Sequence, residues 1–144
     1  YDSIMELPLL KKVILIGPDE EAFSRVEPEF KEKVEFLSRE RLLEMEETEV
    51  SAFVKNQVGE YPLYISIDKD VLCETDADTN WSQGDMRLST MLECLGAVKE
   101  KCAERISRIL GVDICGECDP DKSMESPKND HANKELLRFW KKWF

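Results

Sequence analysis

The sequence lacks several features on which common enzyme classes depend. It has one histidine, His131, and neither a catalytic triad nor a histidine-rich metal site can be built around this residue alone. It contains no Gly-x-Gly-x-x-Gly and no P-loop motif, which excludes the usual dinucleotide and nucleotide sites. No window holds the roughly 18 apolar residues that a membrane span requires. The sequence therefore predicts a chain that does not cross a membrane and binds none of these nucleotides.

Positive charge is also scarce. The 20 lysines and arginines stand against 31 acidic residues, for a net charge of −11. Because phosphate binding depends on clustered Lys and Arg, we expect neither a nucleic-acid partner nor an anionic membrane partner. The negative net charge instead suits a site that binds cations. The five cysteines are an odd number, and no signal-peptide pattern is present, so a cytoplasmic protein is expected rather than a disulfide scaffold.

Candidate strands and helices alternate along the chain. Its 144 residues, of which 42% are hydrophobic, predict a single globular domain over residues 1–144. Alternation of this kind is typical of an α/β fold with a parallel sheet, here of about four strands. The predicted strands are 13–16, 34–37, 62–70 and 106–115, and the main predicted helices are 39–44, 49–58, 90–103 and 132–144.

The third predicted strand carries the main candidate site. Mostly apolar residues run directly into Asp68 and Asp70, and side chains two apart on a strand share a face. Carboxylate oxygens are ligands for Mn²⁺, Mg²⁺ or Ca²⁺, and two adjacent carboxylates repel each other unless a cation lies between them. The alternative is a solvated strand end, because such pairs arise easily by chance among 31 acidic residues.

The last predicted strand brings further acids to the same edge. Glu117 follows that strand directly, and Asp113 lies within it. The carboxyl ends of parallel strands meet at one edge of a sheet, so we expect Glu117 near Asp68 and Asp70, with Asp113 buried behind them. The alternatives are an ordinary loop acid for Glu117 and a hydrogen-bonded structural carboxylate for Asp113.

Cys115 and Cys118 form a Cys-x-x-Cys motif at the end of this strand. A structural zinc site needs four ligands, and the other three cysteines do not form a second Cys-x-x-Cys motif that would complete such a site. A redox pair is expected before a helix, whereas this pair closes a strand. Ordinary buried or loop cysteines are therefore favoured, and a zinc protein remains the weaker alternative.

Two sequence blocks, residues 66–72 (SIDKDVL) and 111–117 (GVDICGE), resemble the carboxyl-terminal half of the arginase/agmatinase/formiminoglutamase family. The resemblance is strongest over residues 64–120. It implies a three-layer (αβα) parallel sheet, of which this chain would form one half. It also implies that Asp68 and Asp70 bind a binuclear manganese centre, and that Glu117 contacts the cationic group of a guanidino-type substrate.

The remaining metal ligands of that family are a histidine and an Asp-x-His-x-Asp block in its amino-terminal half. With His131 as the sole histidine of this sequence, these ligands are absent here. The resemblance thus implies a ureohydrolase-type enzyme that cleaves a guanidino or amidino C–N bond, with this chain supplying part of the dimanganese site and inactive alone. Its partner would be the missing amino-terminal half or a second copy. The alternative is a non-catalytic α/β binding module that keeps the fold without the chemistry.

Overall fold

Strands and helices alternate in the computed structural model, which describes residues 7–104, 108–117 and 126–143. The elements are, in chain order, β1 (Val13–Ile16), α1 (Glu20–Ser24), α2 (Pro28–Lys31), β2 (Val34–Leu37), α3 (Arg39–Glu44), α4 (Glu47–Gln57), β3 (Leu63–Asp68), a 3₁₀ turn (Lys69–Val71), α5 (Leu88–Glu104), β4 (Ile109–Cys115) and α6 (Pro127–Lys141). None of the helices within these ranges is long and apolar enough to cross a membrane.

Local sequence signals set most element boundaries in the first half of the chain. The β1 strand is a run of aliphatic residues that ends before Gly17, and the Asp19 side chain caps α1. Pro28 stands at the first position of α2, so the segment between β1 and β2 forms two short helices. Ser38 caps α3 by accepting a hydrogen bond from the Arg41 N–H, which confirms the predicted helix at 39–44.

The start of α5 is set by a residue far away in the chain. The predicted capping box at 90–93 is wrong, because the helix already begins at Leu88. Its first N–H donates to Asp76 Oδ2 at 2.8 Å, so the cap comes from across a loop. Thr90 is buried inside the helix, and its hydroxyl donates to Glu47 Oε1 at 3.2 Å.

Two further helix starts differ from the prediction. α4 begins at Glu47, with Glu46 and Glu49 forming the capping box, rather than after Thr48. α6 begins at Pro127, with Ser126 as its cap, rather than at residue 132. The predicted starts are two and five residues too late, because Glu46 and Ser126 cap these helices before the predicted positions.

The strands pair in parallel, as predicted, but in two separate sheets within the described residues. β1 pairs with β2, and β3 pairs with β4. In the second sheet Ser66 lies opposite Asp113, and Asp68 lies opposite Cys115. The α/β class with four parallel strands is thus confirmed, whereas the strands form two pairs rather than one continuous hydrogen-bonded sheet.

Helix α5 lies between two apolar clusters and connects them. Met91 and Leu95 pack with β3 and α6 in the first cluster, while Cys94 and Ala97 pack with β2 and α4 in the second. Since both sides of α5 are buried, side-chain packing on this helix holds the two strand pairs together. The aromatic stripe of α6 faces the first cluster, where Trp140 is buried.

The two sheets differ in how their faces are covered. Phe23 of α1 stacks on Phe36 of β2, with ring centroids 4.1 Å apart, and the neighbouring Leu37 points to the opposite face, into the second cluster. The first sheet therefore has helices on both faces. On β3, Tyr64, Ser66 and Asp68 are exposed, so the described part of the chain covers only one face of the second sheet.

Candidate functional site

The β3 strand ends at Asp68, and the chain then enters the 3₁₀ turn. The Asp68 Oδ1 atom accepts a hydrogen bond from the backbone N–H of Asp70 at 3.0 Å. Asp70 is therefore not a strand residue, and the prediction that strand alternation aligns the two carboxylates is wrong. The physical reason is that the Asp68 side chain caps the turn and so ends the strand. The two aspartates still lie at the same carboxyl edge.

Each of these carboxylates is held by a neighbouring group. Asp70 Oδ1 accepts a hydrogen bond from Thr79 Oγ1 at 2.6 Å. Asp68 is exposed and faces Gly116, which has φ of +81°. A Cβ atom at Gly116 would lie 2.7 Å from Asp68 Oδ1, so glycine is required where β4 passes this carboxylate. The end of β4 thus contacts the end of β3, as predicted for parallel strands.

Lys69 lies between the two aspartates in sequence but points the opposite way, into the interior. Its side chain is 0% exposed. The ammonium group forms an ion pair with Glu117 Oε1 and donates a hydrogen bond to Asn133 Oδ1 at 2.9 Å. We call Lys69, Glu117 and Asn133 the Lys69 cluster. It connects the end of β3, the residue that follows β4, and α6.

The Lys69 cluster also fixes the charge state of Glu117. Asn133 Nδ2 donates to the same Oε1 atom at 2.8 Å. Burial by itself raises the pKa of the Glu117 carboxyl, but the hydrogen bonds from Lys69 and Asn133 outweigh it and hold that pKa below its ordinary value. A buried ammonium is tolerated only when it is paired in this way. Glu117 therefore already has a built-in cationic partner.

Motif reasoning does not find Lys69 or Asn133, although the sequence contains a signal for each. Alternation along β3 places residue 69 on the same side as Ile65 and Ile67, which face the first cluster. Asn133 follows Asn129 by one helical turn, and Asn129 is buried. A lysine on the apolar side of a strand signals an interior ion pair.

Asp113 lies on the open face of the second sheet, half-buried rather than fully buried as predicted. Its Oδ1 atom accepts a hydrogen bond from Ser66 Oγ at 2.7 Å. Its hydrogen bond with Tyr64 raises the pKa of the tyrosine hydroxyl. These contacts are those of a hydrogen-bonded structural carboxylate on the strand beside Asp68.

The side chains at this edge of the sheet offer carboxylate oxygens as possible metal ligands. Within the described residues, no group of three or more His, Cys, Asp or Glu side chains is arranged to hold a metal ion. Asp68 and Asp70 fit a hard cation by ligand type but provide a partial donor set. Cys115 is exposed, and burial followed by the charge of Asp68 raises its thiol pKa. Cys118 lies outside the described residues, and His131 is exposed on α6.

Comparison with known proteins finds a partial match to a longer protein. An uncharacterized protein from Thermotoga maritima is 35% identical over 80 residues, which cover 56% of this chain and 30% of that protein. The chain therefore spans less than a third of the relative that it matches. No protein-family model matches the sequence, and no solved structure matches it.

Proposed function

We propose that this chain is the carboxyl-terminal half of an arginase-like metallohydrolase that cleaves a guanidino or amidino C–N bond. The observation that carries the proposal is that Asp68 and Asp70 lie together at the carboxyl end of β3, where the end of β4, directly before Glu117, passes Asp68. Ligands of α/β proteins bind at this edge. The resemblance of residues 66–72 and 111–117 to the ureohydrolase family supports the class of reaction.

Asp68 and Asp70 would contribute carboxylate oxygens to manganese, which when bound supplies an activated water for attack on the guanidino carbon. The chain itself orients these carboxylates. The Asp70 N–H holds one oxygen of Asp68, and the Thr79 hydroxyl holds one oxygen of Asp70. Glu117, held through Oε1 by the Lys69 cluster, would receive the cationic group of the substrate with its remaining acceptor capacity.

The open face of the second sheet supports a larger αβα assembly. In a three-layer fold, helices cover both faces of the sheet, whereas Tyr64, Ser66 and Asp68 are exposed here. The missing amino-terminal half, or a second copy of the chain, would provide the covering layer and the other metal ligands. The longer Thermotoga relative is compatible with a larger protein.

Calorimetric titration of the chain with Mn²⁺ tests the metal assignment. We expect weak binding by the wild type, reduced roughly tenfold or more by Asp68→Asn and by Asp70→Asn. Glu29→Gln, the same chemical change at an exposed carboxylate of α2, is the control and should bind as the wild type does. Equal Mn²⁺ affinity in all four proteins would refute the metal assignment. Robust urea release by the isolated chain would refute the half-site proposal.

A non-catalytic α/β binding module is the second candidate. It is favoured by one observation, namely that Lys69 already occupies the carboxylate that would receive the substrate's cation. The sequence encoded upstream of Tyr1 separates the two candidates. A histidine and an Asp-x-His-x-Asp block there, with urea release from a guanidino compound by the longer chain and Mn²⁺, supports the enzyme. A longer chain without these residues and without turnover supports the module.

A further inference from the structure

The outgoing side of the loop between the 3₁₀ turn and α5, residues 78–79, is hydrogen-bonded to α6 and to Asp70. Asp78 and Asn129 bond reciprocally: the Asp78 N–H donates to Asn129 Oδ1, and Asn129 Nδ2 donates to the Asp78 carbonyl, each at 2.9 Å. The next residue, Thr79, donates its hydroxyl hydrogen to Asp70. The outgoing side of the loop is therefore held against the candidate metal-binding carboxylate.

The returning side of the loop, residues 83–86, is also fixed by hydrogen bonds and close packing. Gln83 Nε2 donates to the Leu72 carbonyl at 2.6 Å, and the Met86 N–H donates to the Val71 carbonyl at 3.1 Å. Gly84 passes so close that a Cβ atom there would lie 2.0 Å from the Val71 carbonyl oxygen. This contact requires glycine, so the position of the returning segment is closely defined.

Trp81 lies between these two fixed sides. Its backbone N–H donates to Thr79 Oγ1 at 3.0 Å, which places the Trp81 backbone two hydrogen bonds away from the Asp70 carboxylate. Trp81 is nevertheless 82% exposed, whereas Trp140 in the core is 8% exposed. A loop that is anchored on both sides thus carries an exposed indole on a backbone segment that is hydrogen-bonded, through Thr79, to the Asp70 carboxylate.

We propose that Trp81 is a specificity-determining residue that stacks on the planar guanidinium of the substrate. This inference rests on the proposed function and names the group that its site recognises. Lys69 balances the charge of Glu117, so a cationic substrate needs a second attractive surface. Indole is the strongest cation–π partner among the side chains, and guanidinium stacks on aromatic faces. A neutral ureido group of the same shape gains no cation–π attraction there.

Equilibrium dialysis with L-arginine and L-citrulline, in the presence of Mn²⁺, tests this inference on the full chain. These probes have nearly the same shape and differ in the charge of the terminal group. We expect Trp81→Leu to weaken arginine binding at least about threefold, and Trp81→Phe to weaken it less than about twofold, because phenylalanine keeps an aromatic face. Citrulline binding should be weaker than arginine binding in the wild type and unchanged by either substitution.

Tyr61→Leu is the matched control, because Tyr61 is an exposed aromatic residue before the other end of β3, and it should bind arginine as the wild type does. Arginine binding that is absent in the wild type, or equal in Trp81→Leu, overturns the inference. The Mn²⁺ titration of the Asp68 and Asp70 variants is a separate readout, so loss of Trp81-dependent recognition and loss of the metal site are distinguishable.

Discussion

The ion pair between Lys69 and Glu117 predicts that its two single truncations have unequal effects on stability. The Lys69 side chain is 0% exposed, whereas the Glu117 side chain is 58% exposed. Removing the glutamate leaves a charge in the interior, while removing the lysine leaves a carboxylate that water can solvate. The perturbations are therefore Glu117→Ala and Lys69→Met.

Breaking a buried pair from the side that leaves a buried charge costs about 3–5 kcal/mol. Asn133 Oδ1 still accepts one hydrogen bond from Lys69 at 2.9 Å, so we expect Glu117→Ala to cost about 3 kcal/mol, at the lower end of that range. Lys69→Met keeps an unbranched side chain of similar length and removes the buried charge. We expect it to change the free energy of unfolding by less than about 1.5 kcal/mol in either direction.

Urea unfolding followed by circular dichroism measures both effects, with the free energy taken from the midpoint and the slope. The double variant should be about as stable as Lys69→Met, because the glutamate no longer matters once the lysine is gone. Glu21→Ala, which breaks an exposed pair with Arg25, is the control and should cost less than about 1 kcal/mol. Lys69→Met as destabilising as Glu117→Ala would refute the argument.

Three further predictions concern the loop, α6 and α5. Gly84→Ala should destabilise the chain by roughly 1–3 kcal/mol in urea unfolding because its Cβ meets backbone, whereas Gly59→Ala, with nothing within 4 Å, should not; equal effects would contradict this. Lys128 lowers the pKa of Asp78 below its ordinary 3.8, so this pair stabilises the fold above that pH, and its contribution is lost as the pH falls further. Asp78→Asn should therefore lower the urea midpoint at about pH 6 more than at about pH 3, and a pH-independent difference would count against it. Burial raises the pKa of Cys94 to about 12, so iodoacetamide labelling followed by mass spectrometry should modify it more slowly than the exposed Cys115 of β4. Equally fast labelling of the two cysteines would contradict the burial of Cys94 on α5.

Short-range patterns predict the elements whose determinants lie within a few residues. The first two strands follow from aliphatic runs, and α3 follows from the Ser38 cap. The start of α5 does not, because its cap is Asp76, twelve residues before Leu88. A side chain that folds back across a loop competes with any local capping signal, and no sequence window of one helical turn contains it.

The candidate site is likewise predicted from the sequence only in part. Strand order and parallel pairing predict that the ends of β3 and β4 meet at one edge, and the close approach of Gly116 to Asp68 agrees with this. The Glu117 side chain pairs with Lys69 instead. The turn at Lys69 is not predicted, because the strand pattern continues through Asp70 and the capping hydrogen bond from the Asp68 side chain does not alter that pattern.

The sequence by itself determined the α/β class and the parallel pairing of the strands, since these depend on local periodicity and on the alternation of strands and helices along the chain. Tertiary structure decided the division into two sheets, the exposure of Trp81 and the burial of Lys69. Glu117 and Asn133 lie 48 and 64 residues beyond Lys69 in the chain. Only folding brings these partners together, and their contacts make the burial of an ammonium group energetically tolerable.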